Sequence, residues 1–162
     1  MIRNLKKLNS KEKKNILNLL KENYGFNKDL NEYTFFINKN DKINLINTET
    51  YELIDFDDYR VDSIGVYFGE LINNTIRLSI EGSQLIGPSC NRNIIELNEN
   101  QLNLWIRGKD VEIDKEGNDF FLIKYKEDYI ACGKLKNKIL LNFVSKARTI
   151  SAKIEDECKA KI

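Results

Sequence analysis

Apolar and polar positions change period several times along the chain, and each change marks an element. In residues 10–23, Ile16, Leu17 and Leu20 form one stripe, with Lys13, Lys14 and Lys21 nearer the opposite side. That spacing predicts an amphipathic helix, capped by Ser10 and stopped at Tyr24-Gly25. Residues 33–37 and 42–46 are short apolar runs around Asn40-Asp41, a turn-forming pair, and predict a β-hairpin. Thr48 is expected to cap a short helix reaching about residue 54. A second hairpin is predicted from residues 63–71 and 75–80, turned at Asn73-Asn74. Its second strand puts Ile76, Leu78 and Ile80 on one face, with Arg77 and Ser79 on the other. Glu81-Gly82-Ser83-Gln84 then opens a helical turn ending near Gly87-Pro88, and the lone proline marks the expected boundary between two halves.

After that boundary residues 94–97 read as a strand. Asn98 and Gln101 have the spacing of a capping box, opening a short helix with Leu102, Trp105 and Ile106 on its apolar side. Three apolar runs follow, residues 120–125, 129–135 and 139–144, separated by charged turns. Their length and their aromatic and β-branched content predict a compact antiparallel β unit. The turn at Glu127-Asp128 can hold two residues or three. That one-residue difference decides whether Lys134 and Lys136 share a face with Phe120 or with Tyr125. The fold class is therefore α+β. Residues 1–88 form an N-terminal domain, residues 89–152 a second, and residues 153–162 a tail that is either a loosely docked helix or frayed.

Charge matters through its distribution, because 26 cations and 25 carboxylates leave a net charge of only +1. Residues 1–22 hold seven cations against two carboxylates, a net +5. Residues 27–62 hold four against nine, a net −5, and residues 121–153 hold eight against two, a net +6. A small basic β unit with interleaved aromatics is the composition of a nucleic-acid-binding module. The lysine face of the first helix is either an ordinary solvated surface or a second basic surface. The acids Asp55, Asp57, Asp58 and Asp62 are either a solvated loop or a docking patch for a basic protein. Their phrase D-F-D-D-Y lacks the glycine and terminal glutamate of a calcium loop.

The chain has no histidine, which removes the commonest general base and metal ligand. Its three cysteines, Cys90, Cys132 and Cys158, are far apart and form no CxxC pair, so neither a disulfide framework nor a zinc site is expected. No run approaches the ~20 apolar residues of a membrane span, and no secretion signal follows Met1. No phosphate-binding glycine loop or hydrolase motif occurs. These points predict a cytoplasmic, non-catalytic protein without cofactor or metal.

One short phrase carries positive chemistry. Arg107-Gly108-Lys109 puts a glycine between two cations, so the backbone approaches a phosphate closely while both side chains reach it. Trp105 is expected in the core or, less often for such a placement, stacked on a base.

The same region carries a resemblance. W-I-R-G-K-D-V-E from Trp105, then F-L-I-K-Y, A-C-G-K and L-N-F-V-S-K-A-R-T-I, resembles the PUA-like tail of the Fmu/Sun family of RNA cytosine-5 methyltransferases. It also resembles small archaeal ribosome-biogenesis proteins that carry this tail alone. I-G-V-Y-F-G-E-L at residues 64–71 and I-R-L-S-I-E-G-S-Q-L-I-G at residues 76–87 resemble the region before the PUA domain in those proteins and in NIP-type factors of large-subunit assembly. The resemblance implies a pre-PUA-like α/β-type domain followed by a small PUA-like β-barrel, so short that one strand could be lent by the first half. It maps Arg107, Gly108 and Lys109 to the RNA-lining loop, and Lys146 and Arg148 to the basic end of the last strand. Ser145-Lys146 stands where the family has Pro-Lys. Pro88-Ser89-Cys90 separates its cysteine from the proline by a serine, unlike the family's nucleophile, and no cofactor-binding domain precedes it.

The expected RNA-binding residues are Arg107, Gly108, Lys109, Tyr125, Lys134, Lys136, Lys146 and Arg148, with Tyr125 or Trp105 adding base stacking. The implied partner is ribosomal RNA, or transfer RNA, together with a ribosomal protein or RNA methyltransferase. The rival expectation is an accessory subunit that docks on such a protein through its acidic first half.

Overall fold

A computed structural model of the chain describes residues 5–55 and 63–150. The first half is an antiparallel meander in sequence order: β1 (Leu5–Lys7), β2 (Tyr33–Asn38), β3 (Lys42–Asn47), β4 (Val66–Ile72) and β5 (Thr75–Leu78). Both predicted hairpins form, with Asp41 and Asn73 at positive φ in their turns. The helix α1 (Ser10–Tyr24) buries Ile16, Leu20 and Tyr24. Its cap is Asn9, not Ser10: Asn9 accepts from the Glu12 N–H while the Glu12 carboxylate accepts from the Asn9 N–H. This reciprocal pair needs an extended residue three places before the glutamate, and Ser10 already lies in the first turn. Asn47 likewise caps α2 (Thr48–Leu53), one place before the threonine expected there. The expected strand position of Ile80 is lost because Ser79 caps a longer helix, α3 (Ile80–Ile86), followed by a 3-10 turn at Gly87–Ser89.

The second half builds its own sheet, a curled half-barrel. It comprises β6 (Ile94–Glu96), β7 (Val111–Glu112), β8 (Phe120–Tyr125), β9 (Asp128–Lys136) and β10 (Ile139–Leu141), in the order β6-β8-β9-β10-β7. All five strands come from the second half, so none is lent by the first. Only β6 runs parallel to its neighbour. The hairpin between β8 and β9 turns through two residues, with Lys126 at φ 51, and pairs Phe120 with Lys134. Lys134 therefore stands on the Phe120 face. A bulge at Ile123/Lys124 adds twist and helps the sheet curl.

Why Phe120, Phe121, Leu122 and Ile123 are all buried follows from what covers each face of β8. Phe120, Leu122 and Cys132 join α1 and β5 in one core with Leu20, Tyr24, Ile76 and Leu78. Phe121, Ile123, Ala131 and Leu135 face the opposite way, against Trp105, Val111 and Leu140. A strand covered on both sides reads as a continuous apolar run, not an alternation. Full burial of each large side chain here contributes on the order of 1.5–3 kcal/mol.

The halves are also stitched by polar groups. The last carbonyls of α1 have no partner within the helix. The Tyr24 carbonyl accepts from the Asn91 and Arg92 N–H groups, and the Asn23 carbonyl accepts from the Asn93 side chain at 2.7 Å. The buried Tyr24 hydroxyl donates to the Ile76 carbonyl, 2.5 Å away.

Candidate nucleic-acid interface

The helix α4 (Glu99–Ile106) begins with the predicted box between Asn98 and Gln101. Trp105, only 2% exposed, lies over Gly133, where an added Cβ would come within 2.8 Å of the indole. Glycine at that position lets helix and sheet approach, and it settles Trp105 as a core residue. Base stacking on it is thereby excluded.

Beyond α4 the chain turns sharply at Gly108, whose φ of 76° is readily adopted only by glycine. The turn is fixed from below by Asn142. Its side chain donates to the Trp105 carbonyl at 2.8 Å and the Lys109 carbonyl at 3.3 Å, while its N–H donates to the Asp110 carboxylate at 2.8 Å. The Ile150 N–H donates to the Ile106 carbonyl, and Thr149 packs beside Gly108. Arg107, Gly108 and Lys109 are thus brought against the segment carrying Lys146 and Arg148. Two stretches far apart in sequence form one rim.

That segment differs from expectation in one respect. Lys146 and Arg148 sit in a 3-10 turn (Lys146–Arg148), not on the last strand, which ends at Leu141. The cause is local: Asn142 spends its N–H on Asp110 and its carbonyl oxygen Oδ1 on the Val144 N–H, so the ladder cannot continue.

Electrostatic partnering sorts the predicted cations. Lys109, Lys136 and Lys146 are exposed and make no ion pair among the described residues. Arg148 is paired with Glu81 at 2.7 Å, across the seam between the halves. Lys134 is half-buried, its ammonium 5.5 Å from the Phe120 ring centre. Nearby Lys138 is neutralised by Asp114 and Glu116. Tyr125 does not join this group. It lies at the far end of β8, five residues and roughly 16 Å along the strand from the Phe120–Lys134 pair. There it is partly buried, with Lys126 5.2 Å from its ring centre.

The two thiols among the described residues, Cys90 and Cys132, are not poised as nucleophiles. Burial pushes Cys132 up to about 11 and Cys90 up to about 12, so both stay protonated near neutrality. Cys90 donates to the Ile86 carbonyl, as a packed thiol does. Of the acidic cluster only Asp55 lies within the described residues; Asp57, Asp58 and Asp62 lie outside them, as do Cys158 and the tail from residue 151. Among the described residues no group of carboxylates and thiols could hold a metal ion, and no helix is long and apolar enough to cross a membrane.

A meander with one long helix, sharing its core with a curled half-barrel that presents a basic rim, defines a two-module protein of the pre-PUA and PUA class. Comparison with protein families gives the same order. Residues 5–80 match the NIP7/UPF0113 pre-PUA domain, and residues 92–150 match the PUA domain of the methyltransferase RsmF. The chain thus carries a NIP7-type pre-PUA domain followed by an RsmF-type PUA domain, modules of RNA-binding proteins. No curated protein matches it.

Proposed function

We propose that this chain is a non-catalytic RNA-binding protein of the cytoplasm that acts in ribosome assembly, in the processing or modification of ribosomal RNA. The observation that carries the reading is the rim itself. A positive-φ glycine turn, Gly108, is clamped to the segment of residues 142–150, and Lys109 and Lys146 are left exposed without an ion pair among the described residues. Lysine heads in that state can neutralise phosphates and so release the cations condensed along an RNA backbone. Arg107 and Arg148 stand in the same two segments, Lys134 and Lys136 are proposed as further contacts from the end of β9, and Tyr125 belongs to a separate spot.

If three to five phosphates are neutralised, log affinity for single-stranded RNA falls against log salt with a slope of roughly −2 to −4, at about −0.7 per contact. The double variant Lys109→Glu, Lys146→Glu should lose RNA retention at low salt while keeping its unfolding transition. An affinity indifferent to salt and to this variant would sink the proposal.

A second reading, docking of a protein partner through the first half, is favoured by one feature. An apolar groove of about 590 Å³ runs past Tyr33, Ile46, Val66, Phe68 and Leu85, with Val66 and Leu85 exposed. The same double variant separates the two, since a partner held in that groove would be retained.

A further inference from the structure

The seam between the two halves holds a cleft of about 290 Å³ lined by Lys42, Tyr67 and Arg77 of the first sheet and by Phe143, Ser145 and Arg148 of the second half. Phe143 is 44% exposed, and among the described residues every other phenylalanine and the tryptophan are buried. Its ring is not loose. The Arg77 guanidinium lies 4.7 Å from its centre, held at 2.6 Å by Glu70, and the Phe120 ring stands 6.3 Å away at 50°. The Lys134 ammonium lies 5.5 Å from the Phe120 ring centre, so both rings have a cation close by. The backbone on either side of Phe143 is fixed by the Asn142 hydrogen bonds that also hold the Gly108 turn. An aromatic ring held in place in front of ammonium and guanidinium groups is what an unstacked base and its phosphate require. The cleft volume lies at the lower end of the range for small-ligand sites, about the size for one nucleotide and not for a helix.

We infer that this cleft receives one unpaired nucleotide of the bound RNA, its base against Phe143 and its phosphate toward Lys42 and Arg148. The inference rests on the RNA-binding reading and adds a selectivity to it. The rim grips backbone charge on any RNA, whereas the cleft distinguishes a flipped-out or looped base from a paired one. Phe143 takes the stacking role that the sequence offered to Trp105 or Tyr125. Lys42 carries no ion pair among the described residues and stands 5.8 Å from the Tyr67 ring centre, at the cleft mouth.

The test uses the full chain and two RNA hairpins that differ by a single bulged uridine. The unaltered protein should bind the bulged hairpin about tenfold or more tighter, the usual size of one base–aromatic stack. Phe143→Ala should reduce that affinity to the level of the paired hairpin and leave paired-hairpin binding unchanged, and Phe143→Tyr should restore it. Lys42→Glu, a surface change that does not touch the ring, gives an independent loss if Phe143→Ala perturbs folding. Equal binding of the two hairpins by the unaltered protein, or a preference that survives both Phe143→Ala and Lys42→Glu, overturns the cleft assignment. If Lys109→Glu, Lys146→Glu still abolishes binding of both hairpins in that case, the rim reading stands without the cleft. Failure of the unaltered protein to hold either hairpin removes both.

Discussion

The two halves of this chain are both five-stranded and both contain stretches rich in lysine, and within each the cations divide into those the fold occupies and those it leaves exposed. In the first half the ammonium of Lys13 donates to the Leu30 and Tyr33 carbonyls, at 2.8 and 2.9 Å, and lies 5.0 Å from the Phe35 ring centre. Partial burial lowers its proton affinity, consistent with a group taken from solvent. Lys6 pairs with Glu12 and Arg77 with Glu70. In the second half Lys138 and Arg148 are paired with carboxylates, whereas Lys109, Lys136 and Lys146 are exposed and unpaired among the described residues, as are Lys11, Lys14, Lys21 and Lys42 of the first half. A helix with a net positive charge and a sheet with one look alike in composition. What separates structural cations from available ones is whether carbonyls and carboxylates of the same chain already occupy them.

The largest way to test this contrast is to attack the core that joins the halves. Leu122→Ala should cost about 2–5 kcal/mol, and it should shift tryptophan fluorescence and far-ultraviolet circular dichroism together. Two separate transitions would show that the halves fold independently. Lys13→Ala comes next. It strands two carbonyls and should cost about 1–3 kcal/mol while leaving RNA affinity and its salt slope as they were. A loss of affinity there would move the first helix onto the binding surface.

Alkaline titration gives a smaller, graded loss. Cys132 has its folded value raised from 9.0 to about 11, so its contribution to stability is present below pH 9 and disappears as pH climbs toward 11. Denaturant midpoints measured between pH 8 and pH 11 should fall, and less so in Cys132→Ala relative to its own value at pH 8. The smallest effect belongs to Lys136→Ala. Its stability should stay within about 0.5 kcal/mol, with the salt slope for RNA becoming less negative by about 0.7. An unchanged slope would leave Lys136 outside the rim.

Much of this architecture is legible in the residues. Strong periodicity located α1, the paired turns located both hairpins of the first sheet, and the Asn98–Gln101 spacing located α4. The elements that escape are those held by backbone alone: β1, the three residues Leu5–Lys7, and β7, only Val111–Glu112. Neither has an apolar alternation to announce it, because each is defined by the strand it borders. The site divides the same way. Arg107-Gly108-Lys109 is a local pattern and could be read directly. Phe143 could not, since it sits in an apolar run that looks like core, and only the Asn142 bonds that end β10 leave its ring outside. The Arg148–Glu81 pair and the distance of Tyr125 from the rim depend on tertiary placement and have no local signature.

The contacts at the end of α1 have a consequence for synthesis. The carbonyls of Asn23 and Tyr24 wait for Asn91, Arg92 and Asn93, and the pocket of Tyr24 is closed by Cys132, 108 positions later in the chain. Until those residues have been translated, the last carbonyls of α1 and the surroundings of Tyr24 stay open to solvent, although Asn9 and Gly25 already cap the helix locally. Nascent intermediates would expose the apolar flank of α1 throughout that interval, the circumstance in which a growing chain depends on chaperone shelter.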